Sequence, residues 1–224
     1  MELNARELSD LLAGLATADV VDALTKTFDH RTHIIDLVSP DPSKPLFGPA
    51  VTVGFLPVRR DLMDPNRHSL GPAIYRAIGD RDPEGRVLVM ASGGNDDISL
   101  GGSTKLSRVA NLKMSGVLCD GRLRDFDELA EAPAAFYCTG ETTRAGGNVI
   151  QPYAYDVPVS VQGVTVVPDD YIFADSTGAA VIPPGAVGDI LTLASSIKNM
   201  AAAVAESIKN EDPDEVLRLG SKEI

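Results

Sequence analysis

The spacing of apolar residues divides the chain into helix-like and strand-like segments. Between residues 5 and 27, Leu and Val side chains recur every three or four positions, which predicts a helix in which Thr17 caps a second helical segment. Short continuous apolar runs at residues 87–90 and 117–119 are typical of buried strands. A chain that mixes both kinds of segment in this way favours an α/β fold.

Turn-forming residues separate further strand-like runs in the second half of the chain. Residues 134–138 predict one strand, and residues 157–166 predict two strands on either side of Gly163. Residues 171–175 and 179–183 flank Ser-Thr-Gly, which predicts a hairpin.

The last part of the chain is helical in pattern. Residues 186–209 predict a long Ala-rich helix, which Asp212-Pro213 ends, and Pro213 can start a final short helix. A chain of 224 residues suits one domain with a terminal extension. We therefore predict an α/β domain over residues 1–183 and a C-terminal helical extension over residues 184–224.

Composition narrows the possible classes of protein. With 44% hydrophobic residues, the chain is typical of a globular protein, and its formal net charge of −12 argues against a nucleic-acid partner. The N-terminus lacks a signal-peptide pattern and no apolar run is long enough to span a membrane, so we expect a soluble cytoplasmic protein with no membrane partner. Cys119 and Cys138 lie in apolar runs, which predicts buried free thiols.

Charged residues cluster where the strand at residues 117–119 ends. Asp120-Gly121 predicts a turn, and Arg122, Arg124 and Asp125 follow it directly. Ligands of open α/β sheets bind at the carboxyl ends of strands, where a carboxylate can hold Mg²⁺ and a guanidinium can bind an anionic oxygen. From the residues alone, a surface turn with a local Arg–Asp ion pair is the more common explanation.

A second candidate site precedes the helix that starts near residue 103. Gly102 allows close approach to the backbone, and the unpaired amides at a helix start favour an anion. A plain capping role of Ser103 or Thr104 is the commoner arrangement. The histidines His30 and His33 lack the context of a zinc site. His68, beside Arg67, could line a pocket, although a solvated loop residue is the commoner arrangement.

Several motifs in order resemble one known family. Residues 116–125 are similar to the G-hydrophobic-D-G-x-x-R-D signature of the RraA-like family, and residues 17–24, 85–90 and 174–183 resemble other elements of it. That family includes Mg²⁺-dependent 4-hydroxy-4-methyl-2-oxoglutarate and 4-carboxy-4-hydroxy-2-oxoadipate aldolases, and regulators of ribonuclease activity. The resemblance implies a compact α/β fold of stacked β-sheets with flanking helices, assembled as a homotrimer or hexamer.

The resemblance also implies roles for individual residues. It implies that the chain is a carbon–carbon lyase that acts on a small anionic 2-oxo acid through a pyruvate-like enolate. Asp125 would anchor Mg²⁺ or Mn²⁺, and Arg124 would bind the substrate and stabilise the developing negative charge. The backbone amides of Gly102, Ser103 and Thr104 would hold the substrate carboxylate.

Two positions depart from the family pattern. Ser103 replaces the usual Glu, and an Asn that often lines the aldolase site falls near Gly71. These changes leave two alternatives open, namely a non-catalytic protein-binding regulator and a family member with changed chemistry in a specialised pathway. The Arg124-Asp125 pair favours the enzyme, because the regulators commonly lack that Asp.

Overall fold

The structure is a computed structural model that describes residue 8 and residues 11–64 and 66–220. Its helices are α1 (Thr17–Thr27), α2 (Leu70–Ile78), α3 (Ser103–Asn111), α4 (Phe126–Glu131), α5 (Val187–Ile208) and α6 (Pro213–Gly220). Its strands are β1 (His33–Ile34), β2 (Leu46–Pro57), β3 (Val87–Ala91), β4 (Ser99–Gly101), β5 (Gly116–Cys119), β6 (Arg122–Leu123), β7 (Ala135–Tyr137), β8 (Ile150–Tyr155), β9 (Val159–Val161), β10 (Val164–Val166), β11 (Tyr171–Asp175) and β12 (Gly178–Ile182).

One mixed sheet forms the centre of the molecule, in the order β1-β12-β11-β2-β3-β5-β7, with β8 paired to β2. The strands β2, β3, β5 and β7 run parallel, and β1, β12 and β11 continue the sheet with antiparallel pairs. Every residue of β3, β5 and β7 is buried, as expected for parallel strands covered on both faces. The predicted α/β fold with flanking helices is confirmed.

A separate two-stranded sheet brings the two candidate sites together. Strand β4 pairs with β6 in parallel, with Ser99 opposite Arg122 and Gly101 opposite Leu123. The ladder continues in a hydrogen bond of 3.0 Å from the amide of Arg124 to the carbonyl of Gly101. Because both strands end at the same edge, the start of α3 lies beside Arg124 and Asp125.

The predicted second helical segment begins at Thr17, after a break at residues 13–16 that separates it from the helical residues 8, 11 and 12. Helix α1 starts at Thr17, and the N-cap is Ala16, so the predicted capping role of Thr17 is wrong. Asp19 accepts the amide of Ala16, and Asp175 accepts the amide of Thr17, both at 2.8 Å. The cap therefore comes partly from the hairpin at the far end of the sequence. Residues 5–7, 9 and 10 of the predicted helix lie outside the described residues.

Other boundaries are confirmed or corrected by the sheet. The two strands predicted on either side of Gly163 are β9 and β10, and the predicted hairpin is β11–β12. Helices α5 and α6 occupy the predicted positions. Strand β8 begins at Ile150 and pairs with the end of β2, although its residues give no continuous apolar run. Helix α2 begins at Leu70 and ends at Ile78.

The end of α5 differs from its beginning in burial. Ile190, Leu191 and Ala194 are buried in the cluster that α5 forms with α1 and the β11–β12 hairpin. Met200, Val204 and Ile208 on the later turns are 67%, 56% and 53% exposed. In the part of the chain that the structure describes, no helix has the length and apolar character needed to cross a membrane.

The two cysteines are free and buried, as predicted. Cys119 ends β5, and Cys138 follows the neighbouring strand β7, with which β5 pairs. Burial raises the pKa of Cys119 well above its usual value, so this thiol is protonated at neutral pH and behaves as part of the core.

Candidate functional site

A cavity of about 420 Å³ opens where β4, β6 and the start of α3 meet β2, β8 and the start of α2. Its polar lining includes Gly102, Thr104, Lys105, Arg124, Asp125 and His68. Apolar side chains complete it, among them Phe55, Met63, Leu70, Ile150 and Pro152. A volume of this size accommodates a small organic ligand.

Asp125 is held by the start of helix α3. Its Oδ2 accepts the amide of Ser103 at 2.9 Å and the hydroxyl of Ser103 at 3.0 Å. The residue has a left-handed backbone conformation, with φ of 64° and ψ of 50°, which Asp tolerates better than most residues. The carboxylate therefore caps α3 rather than α4, the helix that it precedes.

Residue 102 must be a glycine because the carboxylate of Asp125 lies so close to its backbone. A Cβ atom on residue 102 would stand 2.5 Å from Oδ2 of Asp125, well inside van der Waals contact. Any other residue would push Asp125 away from the amide of Ser103. The close approach of backbone and carboxylate explains why a glycine precedes α3.

The side chain of Arg124 is partly exposed and borders the same cavity. Its Nε lies 3.9 Å from Oδ1 of Asp125, which is longer than a hydrogen bond, so the two charges are neighbours rather than a bonded pair. Lys105, on the first turn of α3, adds a second cation to the lining. In a protein of net charge −12, this local excess of positive charge favours an anionic ligand.

The structure brings most of the predicted site residues together. Gly102, Thr104, Arg124 and Asp125 line the cavity. Ser103 lines a neighbouring pocket. Its amide donates a hydrogen bond to Asp125, whereas the resemblance implies that this amide holds the substrate carboxylate. The roles of these residues in binding or catalysis stay predictions.

Gly71 does not line the cavity in the way that an aldolase-site residue would. It lies one residue beyond Leu70, and a Cβ atom there would stand 3.3 Å from Cζ of Arg108. Helix α2 therefore packs closely on α3 at this point. A larger side chain at residue 71 would displace the guanidinium before it reached a ligand.

Sequence reasoning missed Met63 and Lys105, which both border the cavity. For His68 the less common alternative is the correct one, because it lines the cavity. His68 and Met63 belong to the loop after β2, and only the pairing of β2 with β8 carries that loop to the cavity. Lys105 was within reach of inference, because it follows directly on the predicted amide triplet.

Asp120 lies at the other end of the segment 120–125, and its carboxylate holds parts of the fold together. It is only 9% exposed, and it accepts the amide of Ser92 at 2.6 Å and the amide of Gln162 at 3.2 Å. These bonds tie the end of β5 to the loop after β3 and to the β9–β10 turn. Asp120 does not border the cavity.

Glu141 stabilises the start of α4, which follows the same segment. Its Oε1 accepts the amide of Phe126 at 3.1 Å, at the first residue of α4. This bond supplies the start of α4 with the acceptor that Asp125 does not provide.

A comparison with protein-family models finds one match over most of the chain. Residues 17–181 match the RraA-like model, described as Aldolase/RraA. The matched range contains the main sheet, α1 to α4 and every residue of the cavity described above.

Curated relatives agree with that match at modest identity. The chain is 31% identical over 113 residues to Burkholderia mallei proteins with the provisional name 4-hydroxy-4-methyl-2-oxoglutarate aldolase, which is 49% of this chain and 66% of theirs. It is 27% identical over 155 residues to protein DlpA of Legionella pneumophila, which is 68% of this chain and 24% of DlpA. The chain thus matches less than two thirds of the length of either relative.

A solved structure extends the likeness to nearly the whole chain. RraAS2 of Streptomyces coelicolor, described as an unusual member of the RNase ES inhibitor RraA protein family, superposes with a TM-score of 0.74 at 25% identity. The superposition covers 93% of this chain and 100% of RraAS2.

Proposed function

The chain belongs to the RraA-like family, and from this premise we propose that it is a metal-dependent carbon–carbon lyase that releases pyruvate from a small 2-oxo acid. The observation that carries the proposal is the pairing of Arg124 and Asp125 at a cavity that also contains the start of α3. A carboxylate, a guanidinium and backbone amides at the start of a helix are the groups that such a reaction needs. The provisional aldolase name of the Burkholderia relatives supports the same class.

The donor set at Asp125 fits Mg²⁺ or Mn²⁺. Within the described residues, no three His, Cys, Asp or Glu side chains form a group that could hold a metal ion. Mg²⁺ does not require such a group, since it commonly takes one or two carboxylates and completes its shell with water and substrate oxygens. Oδ1 of Asp125 would provide the carboxylate oxygen, while Ser103 fixes Oδ2. When bound, the metal would supply Lewis-acid polarisation of the 2-oxo group.

The protein's own groups would hold the substrate and stabilise charge. The amides of Gly102 and Thr104, with Lys105 beside them, would bind the substrate carboxylate. In a 4-hydroxy-2-oxo acid the bond between C3 and C4 breaks, and its electron pair forms the enolate of pyruvate. The 4-hydroxyl loses its proton, C4 becomes a carbonyl carbon, and C3 takes up a proton. Arg124 would stabilise the negative charge of the enolate.

The assay of choice measures pyruvate released from oxaloacetate, 4-hydroxy-4-methyl-2-oxoglutarate and 4-hydroxy-2-oxopentanoate. We expect release with Mg²⁺ or Mn²⁺ and loss of release when a chelator is added, because the enolate charge is then not neutralised. Release that a chelator leaves unchanged, or no release from any of the three, would refute the lyase.

A second candidate function is a protein-binding regulator, and the likeness to RraAS2 is the observation that favours it. The same assay separates the two candidates, because a regulator would release no pyruvate.

We extend the proposal to a homotrimer or a dimer of trimers. The later turns of α5, with Met200, Val204 and Ile208 exposed, offer an apolar surface that such an assembly would cover. Light scattering would test this through the mass in solution, and a monomer would contradict it.

A further inference from the structure

The cavity has two walls that differ in chemistry. We define the polar wall as Gly102, Thr104, Lys105, Arg124 and Asp125, and the apolar wall as Phe55, Met63, Leu70, Ile150 and Pro152. The polar wall comes from the β4–β6 pair and the start of α3. The apolar wall comes from β2, β8, the loop between β2 and α2, and the first residue of α2.

Most of the apolar wall belongs to the packed core. Phe55, Leu70 and Ile150 are 4%, 3% and 2% exposed, and Phe55 stands opposite Pro152 in the β2–β8 ladder. A Cβ atom on Gly101 would lie 3.0 Å from Cδ2 of Leu70, so this wall directly meets the polar one. Its shape is therefore set before a ligand arrives.

Charge is confined to one side of the cavity. Apart from His68, the described lining residues that can carry charge are Lys105, Arg124 and Asp125, all on the polar wall. A carboxylate placed against the apolar wall would lose water without gaining a cation, which is strongly unfavourable. An alkyl or aryl group in the same place would gain from burial.

His68 provides one neutral polar group beside the apolar wall. Its Nδ1 accepts the amide of Asp64 at 3.0 Å, and its ring stacks on Tyr153 with centroids 4.8 Å apart. Because Nδ1 is used as an acceptor, the neutral ring carries its hydrogen on Nε2, which makes it a donor to an uncharged oxygen.

The loop that carries His68 is anchored to β8. The hydroxyl of Tyr155 donates to the carbonyl of Arg67 at 2.5 Å. Burial raises the pKa of Tyr155, so the phenol keeps the proton that it donates.

We propose that the substrate is a 2-oxo acid whose far end is an uncharged alkyl or aryl group rather than a second carboxylate. The 2-oxo acid end would lie on the polar wall and the apolar group on the apolar wall. This inference rests on the proposed function for the 2-oxo acid end, and it adds the chemical class of the rest of the substrate.

The test is a direct binding measurement that requires no turnover. Isothermal titration with Mg²⁺ present would compare 2-oxo-4-phenylbutanoate with 2-oxoglutarate, which share the 2-oxo acid end and differ at the far end. We expect the phenyl compound to bind at least about tenfold more tightly, since apolar burial on that scale gives such ratios. Equal binding, tighter binding of 2-oxoglutarate, or no binding of either would overturn the inference.

The result separates this inference from the proposed function. Preferential binding of the phenyl compound without pyruvate release from any substrate would refute the lyase and keep the apolar subsite. Metal-dependent pyruvate release together with preferential binding of 2-oxoglutarate would do the opposite.

A matched pair of variants tests where the apolar group of the substrate binds. Met63 and Leu62 are neighbours in the loop after β2, with side chains that are 37% and 49% exposed, respectively. Of these two residues, Met63 lines the cavity and Leu62 does not. We expect Met63→Lys to shift the affinity ratio roughly tenfold toward 2-oxoglutarate, because it adds a cation to the apolar wall. Leu62→Lys should leave the ratio unchanged. An unchanged ratio in Met63→Lys, or equal shifts in both variants, would overturn the proposed subsite.

Discussion

Asp120 and Asp125 stand at the two ends of one turn, yet the protein holds their carboxylates in different ways. Asp120 is almost fully buried, and its two oxygens accept amides from two distant segments, at Ser92 and Gln162. The side chain of Asp125 is 32% exposed. Within the described residues its hydrogen bonds come from Ser103 and go to Oδ2, while Oδ1 lies 3.9 Å from Nε of Arg124. A carboxylate whose oxygens are both occupied joins parts of the fold, whereas one with a remaining oxygen at a cavity is available to a ligand.

Backbone conformation produces this difference. Asp120 continues the buried edge of β5, so its side chain stays inside the fold. Asp125 adopts φ of 64°, which turns its side chain from α4 toward α3 and the cavity. Two residues of the same type in one motif are therefore expected to respond differently to mutation.

The largest expected effect is at the exposed end of the turn. Asp125→Asn keeps an acceptor for the amide of Ser103 and tolerates the left-handed conformation, but it removes the charge that would hold a metal ion. We expect metal-dependent pyruvate release to fall about 10³-fold, or about 4 kcal/mol, with little change in stability. Rate measurements and urea unfolding would show this.

Asp127→Asn is the matched control for that variant. Asp127 is exposed on the first turn of α4 and does not border the cavity. It should release pyruvate at the wild-type rate. An Asp125→Asn protein with undiminished metal-dependent release would remove Asp125 from the proposed site.

The next effect is at the buried end. Asp120→Ala leaves the amides of Ser92 and Gln162 without their acceptor, so we expect a loss of about 3 kcal/mol in the free energy of unfolding. Urea unfolding measures it as a lower midpoint at an unchanged slope. Asp96→Ala, in the exposed loop after β3, is the control and should stay within about 0.5 kcal/mol of wild type. A stability loss no larger than that of the control would contradict the structural role of Asp120.

The smallest effect distinguishes the hydroxyl of Ser103 from its amide. Ser103→Ala keeps the amide bond to Asp125 and removes the hydroxyl bond, so we expect a loss of about 1 kcal/mol in stability and at most a few-fold loss of pyruvate release. The same two measurements apply. A loss as large as that of Asp125→Asn would mean that Ser103 itself contacts the reacting groups.

Local patterns predicted the parts of the fold whose signals lie within one segment. Continuous apolar runs predicted β3 and β5, and turn residues predicted the separate strands β9 and β10 and the hairpin β11–β12. Burial and turn chemistry act over a few neighbouring residues, so local patterns suffice for these elements. The motif at residues 116–125 led to the family and to Arg124 and Asp125 in the same way. Strand β8 was missed, because its Pro152 and polar residues give no continuous apolar run.

The sequence by itself determined most of the helices and the strands of continuous apolar character, the family, and the residues that are candidates for the reaction. Only the tertiary structure decided that Asp175 caps α1 across 158 positions and that Asp125 turns toward Ser103. It alone placed His68 and Met63 at the cavity. The physical reason is that these arrangements depend on strand pairing and on backbone approach between segments far apart in the chain, which no local spacing encodes.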